Sequence, residues 1–446
     1  MTSAQTDRAG TLNEKSEQDR LYRKITWRLI PFLATLWVLA WIDRVNIGFA
    51  KLAMLNDLQF SDTVYGLGAG IFFLGYFLFE VPSNMLLVKI GARKTIARIT
   101  IGWGIVSILM LFTKTPTQFY CLRFMLGVFE AGFYPGIILY LTYWFPSQRR
   151  SRAFGLFMSA SAVAGIIGGP IAGVIMSTMN GFHNLHGWQW LFLLEGIPSV
   201  VAGIVTLFYL TDKPAQAHWL TAQEQAQVQR DLDQDAAVAG PRDHSFLASL
   251  RNPKLWVLVA IYFCIIAANS TLTFWSPSIV KDMGVSNPLH IGLLIGLMYI
   301  FGAVGMIGNG FLADKSGKNN LHCAAGALIG ATAMVVTALV THNPVLAFVA
   351  LTLAVFGTMS AIPVFWQLPN MYVSGAAAAG GVAMINSIAN LAGFGAPYAM
   401  GVLKDSGAGI SAGLLGVAAV EALGALLILV MIRNKREPQA VAAVAH

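Results

Sequence analysis

The sequence predicts an all-α membrane protein with twelve transmembrane helices in two six-helix halves. Three observations predict it. Hydrophobic residues make up 56% of the 446 and charged residues 11%, where a soluble domain carries about 25% charge. The apolar residues gather into recurring runs of about 20, the length a helix needs to cross roughly 30 Å of hydrocarbon. One long polar stretch, residues 211–254, parts six such runs from six more.

In chain order, a polar tail (1–26) leads into segment 1 (27–49). Segments 2 (64–86) and 3 (95–113) are joined by a short basic stretch around Lys89–Arg98. Segment 4 (118–143) is followed by Pro146, Arg149 and Arg150, then by segment 5 (152–177). Segment 6 (188–210) opens with Trp188 and Trp190 and completes the first half, 27–210. The central loop, 211–254, holds Asp212, Lys213, Pro214, a run rich in Gln, Glu and Asp, and Pro241. The second half, 255–432, has segments at 255–280, 290–313, 321–341, 344–368, 376–403 and 409–432, and a basic tail follows at 433–446. The 44 glycines suit helices that approach closely through small side chains.

Residues 1–22 are polar, and the first apolar run is too long for a signal h-region, so no cleaved signal is expected. Cys121, Cys264 and Cys323 fall in or beside membrane segments with no framework spacing, so neither disulfides nor a metal site is expected. The net charge of +8 follows topology rather than a nucleic-acid partner. If the N-terminus is inside, the inner ends of the segments hold 23 of the 29 Lys and Arg, and the outer ends hold four: Lys51, Lys114, Lys281 and Lys404. That asymmetry places both termini of a multi-pass protein in the cytoplasm.

The two halves repeat weakly. Leu86, Lys89 and Gly91 after segment 2 have the spacing of Leu312, Lys315 and Gly317 after segment 8. Paired repeats with a site near the midplane are a common plan of secondary transporters.

Four charged residues interrupt the apolar runs: Asp43 and Arg44 in segment 1, and Arg123 and Glu130 in segment 4. Each costs roughly 2.5–3.5 kcal/mol at the centre of a membrane helix, so such groups normally line a polar cavity or an ion path. At 1.5 Å per residue, Asp43, Arg44 and Arg123 all lie roughly 8–9 Å below the outer surface. Glu130 is two turns deeper than Arg123 on the same helix face. The arginines are planar cations that can hold a carboxylate through two hydrogen bonds. Burial disfavours the charge on Asp43 and Glu130, and a neighbouring arginine favours it, so either acid could load and release a proton. The plainer reading is that the acids only neutralise the arginines.

The stretch Gly310-Phe311-Leu312-Ala313-Asp314-Lys315-Ser316-Gly317-Lys318 resembles the G-x-L-x-D-[RK]-x-G-[RK] signature of the major facilitator superfamily. In the first copy Asn84 and Val88 replace the Gly and the Asp. More narrowly, the chain resembles the anion:cation symporter branch of bacterial organic-acid permeases. The blocks that carry this are Trp41–Ala50, Arg123–Gly136, Leu139–Pro146, Gly187–Gly196, Phe365-Trp366 and Asn386–Gly393. Members carry tartrate, hexonates, phthalate, 4-hydroxyphenylacetate and similar carboxylates, typically with protons.

The resemblance implies a major facilitator fold and a role for each residue that matches. Asp43 and Glu130 become the proton-coupling groups. Arg44 and Arg123 serve the substrate anion, joined by Tyr76, Trp366, Gln367 and Asn386. Gly310, Asp314, Lys315 and Gly317 form a conformational motif. Trp41 and Ser161 stand where hexonate carriers have Tyr and Gln, which favours a tartrate-like dicarboxylate or an aromatic acid. A hexonate stays the alternative. Trp366 also reads as core packing, and Asn390 as a helix-to-helix hydrogen bond. Glu80 and Glu195 read as structural, and Glu421 has no evident partner in the pattern.

No catalytic triad, phosphate loop or metal-spaced cluster is present, so an enzyme is not expected. An ion gradient must then supply the energy, with no cofactor. The expected partners are a small organic anion, protons and the lipid bilayer, and the expected state is a monomer. A drug/proton antiporter would share the fold, but its pocket would favour acids and aromatics over paired arginines.

Overall fold

The computed structural model describes residues 3–239, 252–369 and 376–432, and these are helical with short connections. The helices of the first part are α1 (Ser3–Leu58), α2 (Asp62–Ile90), α3 (Ala92–Leu109), α4 (Pro116–Glu130), α5 (Phe133–Thr142), α6 (Ser147–Thr178) and α7 (Gly187–Tyr209), with α4 and α5 together making one span. A loop helix, α8 (Ala222–Ala239), follows. Then come α9 (Pro253–Asp282), α10 (Pro288–Ser316), α11 (Asn319–Leu339), α12 (Pro344–Phe365), α13 (Ala376–Asn390), α14 (Ala392–Asp405) and α15 (Gly409–Met431). Among the described residues, eleven stretches are long and apolar enough to span a membrane. The remaining span is α13 with α14, interrupted at Leu391.

Local chemistry sets several helix starts. Ser61 accepts a hydrogen bond from the Val64 amide at the start of α2. Thr115 and Gln118 cap one another's backbone at α4, directly before Pro116. Such side chains satisfy amides that have no partner inside the helix.

Three features differ from the sequence expectation. The polar tail 1–26 is helical from Ser3 and continuous with segment 1. Segment 4 is two helices, because α4 stops at Glu130 and Gly132 takes φ +81°, a left-handed conformation that glycine adopts without a Cβ clash. Part of the central loop is ordered as α8. It packs on the start of α1, where Tyr22 and Gln18 donate to Asp231 and Lys24 pairs with Glu224.

By its internal contacts the chain groups into two compact units. One comprises Met1–Pro241, Thr273–Ile300 and Pro397–Asp405, and the other Arg242–Leu272, Phe301–Ala396 and Ser406–His446. In the first unit α2 and α4 touch backbone to backbone. A Cβ on Gly127 would collide with the Phe72 carbonyl, and one on Gly75 with the Phe124 carbonyl.

At the end that the charge asymmetry marks as outer, α1, α2, α9 and α14 are tied together. Lys51 pairs with Asp62 at 2.7 Å and lies 3.3 Å from the centre of the Trp275 ring. Tyr65 donates to the Phe274 carbonyl at 2.6 Å, and Lys404 reaches Asp282 and Asp62. The second unit has its own apolar core, built around Leu258, Tyr262, Phe365, Met384 and Ile428.

Candidate functional site

Arg44 and Glu130 meet inside the first unit. Arg44 donates to Glu130 Oε1 through Nε at 3.0 Å and also through Nη2. The Glu130 side chain is 2% exposed and that of Arg44 17%, so the cation keeps the only opening of the pair. The break after Glu130 places this carboxylate at a helix end. Around the Arg44 guanidinium lie the rings of Phe72 at 5.2 Å, Tyr76 at 5.8 Å and Trp41 at 6.0 Å. Tyr76 is buried.

Arg123 occupies a different setting. It is fully buried and donates to the Gly68 carbonyl at 3.1 Å and more loosely to that of Ala69, both on α2. Its guanidinium lies 5.3 Å from the Phe72 ring, so Phe72 is flanked by both arginines. A cation near an aromatic ring is attracted by the ring's negative face. The level found by counting residues is shared, but Arg123's donors are turned to backbone, whereas Arg44's are turned to a carboxylate.

Asp43 faces away from its chain neighbour. Successive residues of a helix point about 100° apart, and Asp43 accepts from Ser107 of α3 at 2.7 Å and from Ser199 of α7. The four charges therefore do not form one cluster. Arg44 and Glu130 pair, Arg123 braces α2, and Asp43 lies among hydroxyls at the contact of α1, α3 and α7.

The remaining candidates belong to the second unit. Trp366 is half-buried, and its indole donates to the Tyr262 hydroxyl at 3.2 Å. Asn386 is half-buried on α13. Gln367 lies just past α12, which ends at Phe365, and its amide donates to Asp314 near the end of α10 at 2.9 Å. In the motif to which Asp314 belongs, Gly317 takes φ +65° after the helix end, and Gly310, Asp314 and Lys315 lie on the last turns of α10.

Sequence reasoning missed four contributors. Phe72, Ser107 and Ser199 carry no charge or motif that singles them out, and only helix packing brings the two serines to Asp43. Asp212, read as loop, accepts from the Arg93 amide at 2.7 Å beside Gly91. It supplies a carboxylate at the first copy of the motif, which Val88 lacks. A cavity of about 120 Å³ lies elsewhere, lined by Leu52, Met176, Lys281 and Pro288 among others.

The family model described as "Major Facilitator Superfamily" matches residues 33–397. The chain is 44% identical over 420 residues to a "Putative tartrate transporter" of Agrobacterium vitis, covering 94% of this chain and 96% of that protein. It is 46% identical over 385 residues to a "Putative metabolite transport protein NicT" of Pseudomonas putida, covering 86% and 88%. It is 38% identical over 406 residues to a "Quinolone resistance transporter" of Acinetobacter baumannii, covering 91% and 93%. A solved bacterial homologue of the human lysosomal transporter Spinster has a similar fold, with a TM-score of 0.73 at 16% identity, over 90% of this chain and 95% of that one. With its twelve-span plan, its motif at the end of α10 and this match, the chain is a multi-pass membrane transporter that belongs to the Major Facilitator Superfamily.

Proposed function

We propose that the protein imports an organic carboxylate with protons across the bacterial inner membrane by alternating access, with both termini cytoplasmic. One observation carries this reading: Arg44, the exposed member of a buried ion pair, spends its donors on Glu130. A substrate carboxylate competes for the same donors. When the anion takes Arg44, Glu130 is left buried without its partner, and a charge in that position is costly. A proton on Glu130 removes the cost. Substrate and proton therefore bind better together than either does alone, which is the requirement for symport. Release on the inner side restores the Arg44–Glu130 pair and frees the proton.

Arg44 is the substrate cation in this scheme, with Tyr76 beside it. Arg123 holds α2 in place and adds positive potential. Trp366 and Asn386 are the candidates from the second unit. The names of the relatives favour a tartrate-like acid, and the loss of the hexonate carriers' Tyr and Gln at Trp41 and Ser161 points the same way. Export of an acidic drug is the second reading, favoured by the relative named for quinolone resistance.

Both readings are tested by uptake into proteoliposomes with an imposed pH gradient and labelled tartrate, hexonate, phthalate and hydroxyphenylacetate. Accumulation of one acid inside when the outside is acidic supports symport. Accumulation of a quinolone only when the inside is acidic supports the antiporter instead.

A further inference from the structure

Glu195 is one of the buried acids that this scheme leaves unused. Its side chain is 5% exposed, and neither carboxylate oxygen has a hydrogen-bond partner. It lies on α7 one turn before Ser199, whose hydroxyl donates to Asp43. Four residues of helix rise is about 6 Å, and residues at that spacing share a face. On α1, Asn46 follows Asp43 by three residues and so shares Asp43's face. Asn46 is 2% exposed, and neither its amide nitrogen nor its amide oxygen has a partner.

The two helices run in opposite directions, so the pairs align in two levels. Asp43 meets Ser199 at one level, and Asn46 neighbours Glu195 at the next. The indole of Trp103 also faces Asp43.

We propose that Glu195 joins Asp43, which the family resemblance already marks for proton coupling, in a proton-holding carboxylate pair, separate from the Arg44–Glu130 pair and with no cation of its own. Two acids so close in low dielectric do not both carry charge. One proton, taken from water on one side and returned to water on the other, satisfies an otherwise empty oxygen.

The groups around the pair are few. From α1 come Arg44, turned to Glu130, and Asn46. From α3 come Ser107 and Trp103. From α4 comes Glu130, which acts on Asp43 through space, and from α7 comes Ser199. The helix α6 also packs here, but its Arg149, Arg150 and Arg152 lie in its first turns, at the far end.

The inference rests on proton-coupled uptake, so wild-type proteoliposomes are measured first. If wild type shows no pH-driven uptake of any acid, the parent reading fails before any variant is made. Glu195→Gln and Asn46→Leu are then compared with wild type in the pH dependence of uptake and in substrate counterflow at equal pH. Removing the Glu195 charge weakens proton binding at Asp43, so the midpoint of Glu195→Gln moves toward acid, by about one pH unit. Asn46 is the polar neighbour that favours the charged form of Glu195, so replacing its amide with an apolar side chain moves the midpoint of Asn46→Leu toward alkaline. Counterflow affinity stays at the wild-type value in both.

Opposite shifts separate a proton site from a packing defect, which changes counterflow and leaves the midpoint in place. If Glu195→Gln does not fold, the Asn46→Leu shift alone decides. An unchanged midpoint in whichever variants fold overturns the proposal. So does wild-type accumulation driven by a sodium gradient at equal pH and lost in Glu195→Gln, because a metal ion then occupies the pair.

Discussion

Glu130 closes α4 with its carboxylate on the Nε and Nη2 groups of Arg44, 86 residues earlier in the chain. The pair joins α1 to the discontinuity between α4 and α5. Because the pair is made by side chains alone, it can separate without disturbing the backbone ladder of either helix, and a second carboxylate can take the place of Glu130 on Arg44.

Removal of either partner should give a distinct defect. Arg44→Ala deletes hydrogen bonds to a charged group, each contributing about 1.5–3 kcal/mol. Substrate binding, read by ligand-induced thermal shift or calorimetry, should weaken about 10–100-fold. Glu130→Gln keeps the shape and removes the proton site. It should lose pH-driven accumulation and keep exchange of internal for external anion. Full accumulation by this variant would remove Glu130 from coupling.

The contact of α2 with α4 depends on two missing side chains. Gly127→Ala places a Cβ against the Phe72 carbonyl. Overpacking of this kind costs about 1–3 kcal/mol. The shift should also move Phe72 from between the arginines. A lower melting temperature, together with weaker substrate binding, is the expected result. A melting temperature equal to that of wild type would show that the helices move apart freely.

Gln367 separates a substrate role from a gating role. Gln367→Ala leaves Asp314 without its amide donor. If the motif at the end of α10 governs the conformational step, as the family resemblance implies, the expected outcome is a changed maximal transport rate with substrate affinity unaltered. Loss of affinity with an unaltered rate would place Gln367 at the substrate site.

Asp405 links the end of α14 to the start of α2, where it accepts from the amides of Asp62 at 3.1 Å and Thr63 at 2.7 Å. Partial burial alone would raise its pKa, but the hydrogen bonds from Thr63, Ser61 and Asp62 win and hold it below the usual aspartate value. A lowered value in the folded state means that the cap stabilises fully above the ordinary aspartate value. The contribution is then lost as pH falls through the lowered one. Hydrogen exchange at the Asp62 and Thr63 amides should be slow at neutral pH and speed up under acid. Asp405→Asn should remove that acid-side dependence, and a dependence that survives the substitution would place its origin elsewhere.

Much of this protein was legible as text. Helix length against bilayer thickness fixes the spans, because no partial burial of backbone polar groups is tolerated in lipid. The cost of charge in that setting singles out Asp43, Arg44, Arg123 and Glu130 before any contact is known. The Gly-Phe-Leu-Ala-Asp-Lys-Ser-Gly-Lys run, with its Gly317 at positive φ, also announces itself.

Tertiary structure alone decided which charge meets which. Side-chain direction depends on helix rotation, on where α4 and α12 stop, and on how closely two glycines let α2 and α4 approach, and none of these is set by residue spacing. So Arg44 found Glu130, Arg123 turned to the carbonyls of Gly68 and Ala69, and Gln367 met Asp314. Asp43 found two serines from distant helices, one turn from a glutamate that spacing had marked as structural. Chain order gives depth in the membrane, whereas azimuth around each helix axis comes only from packing.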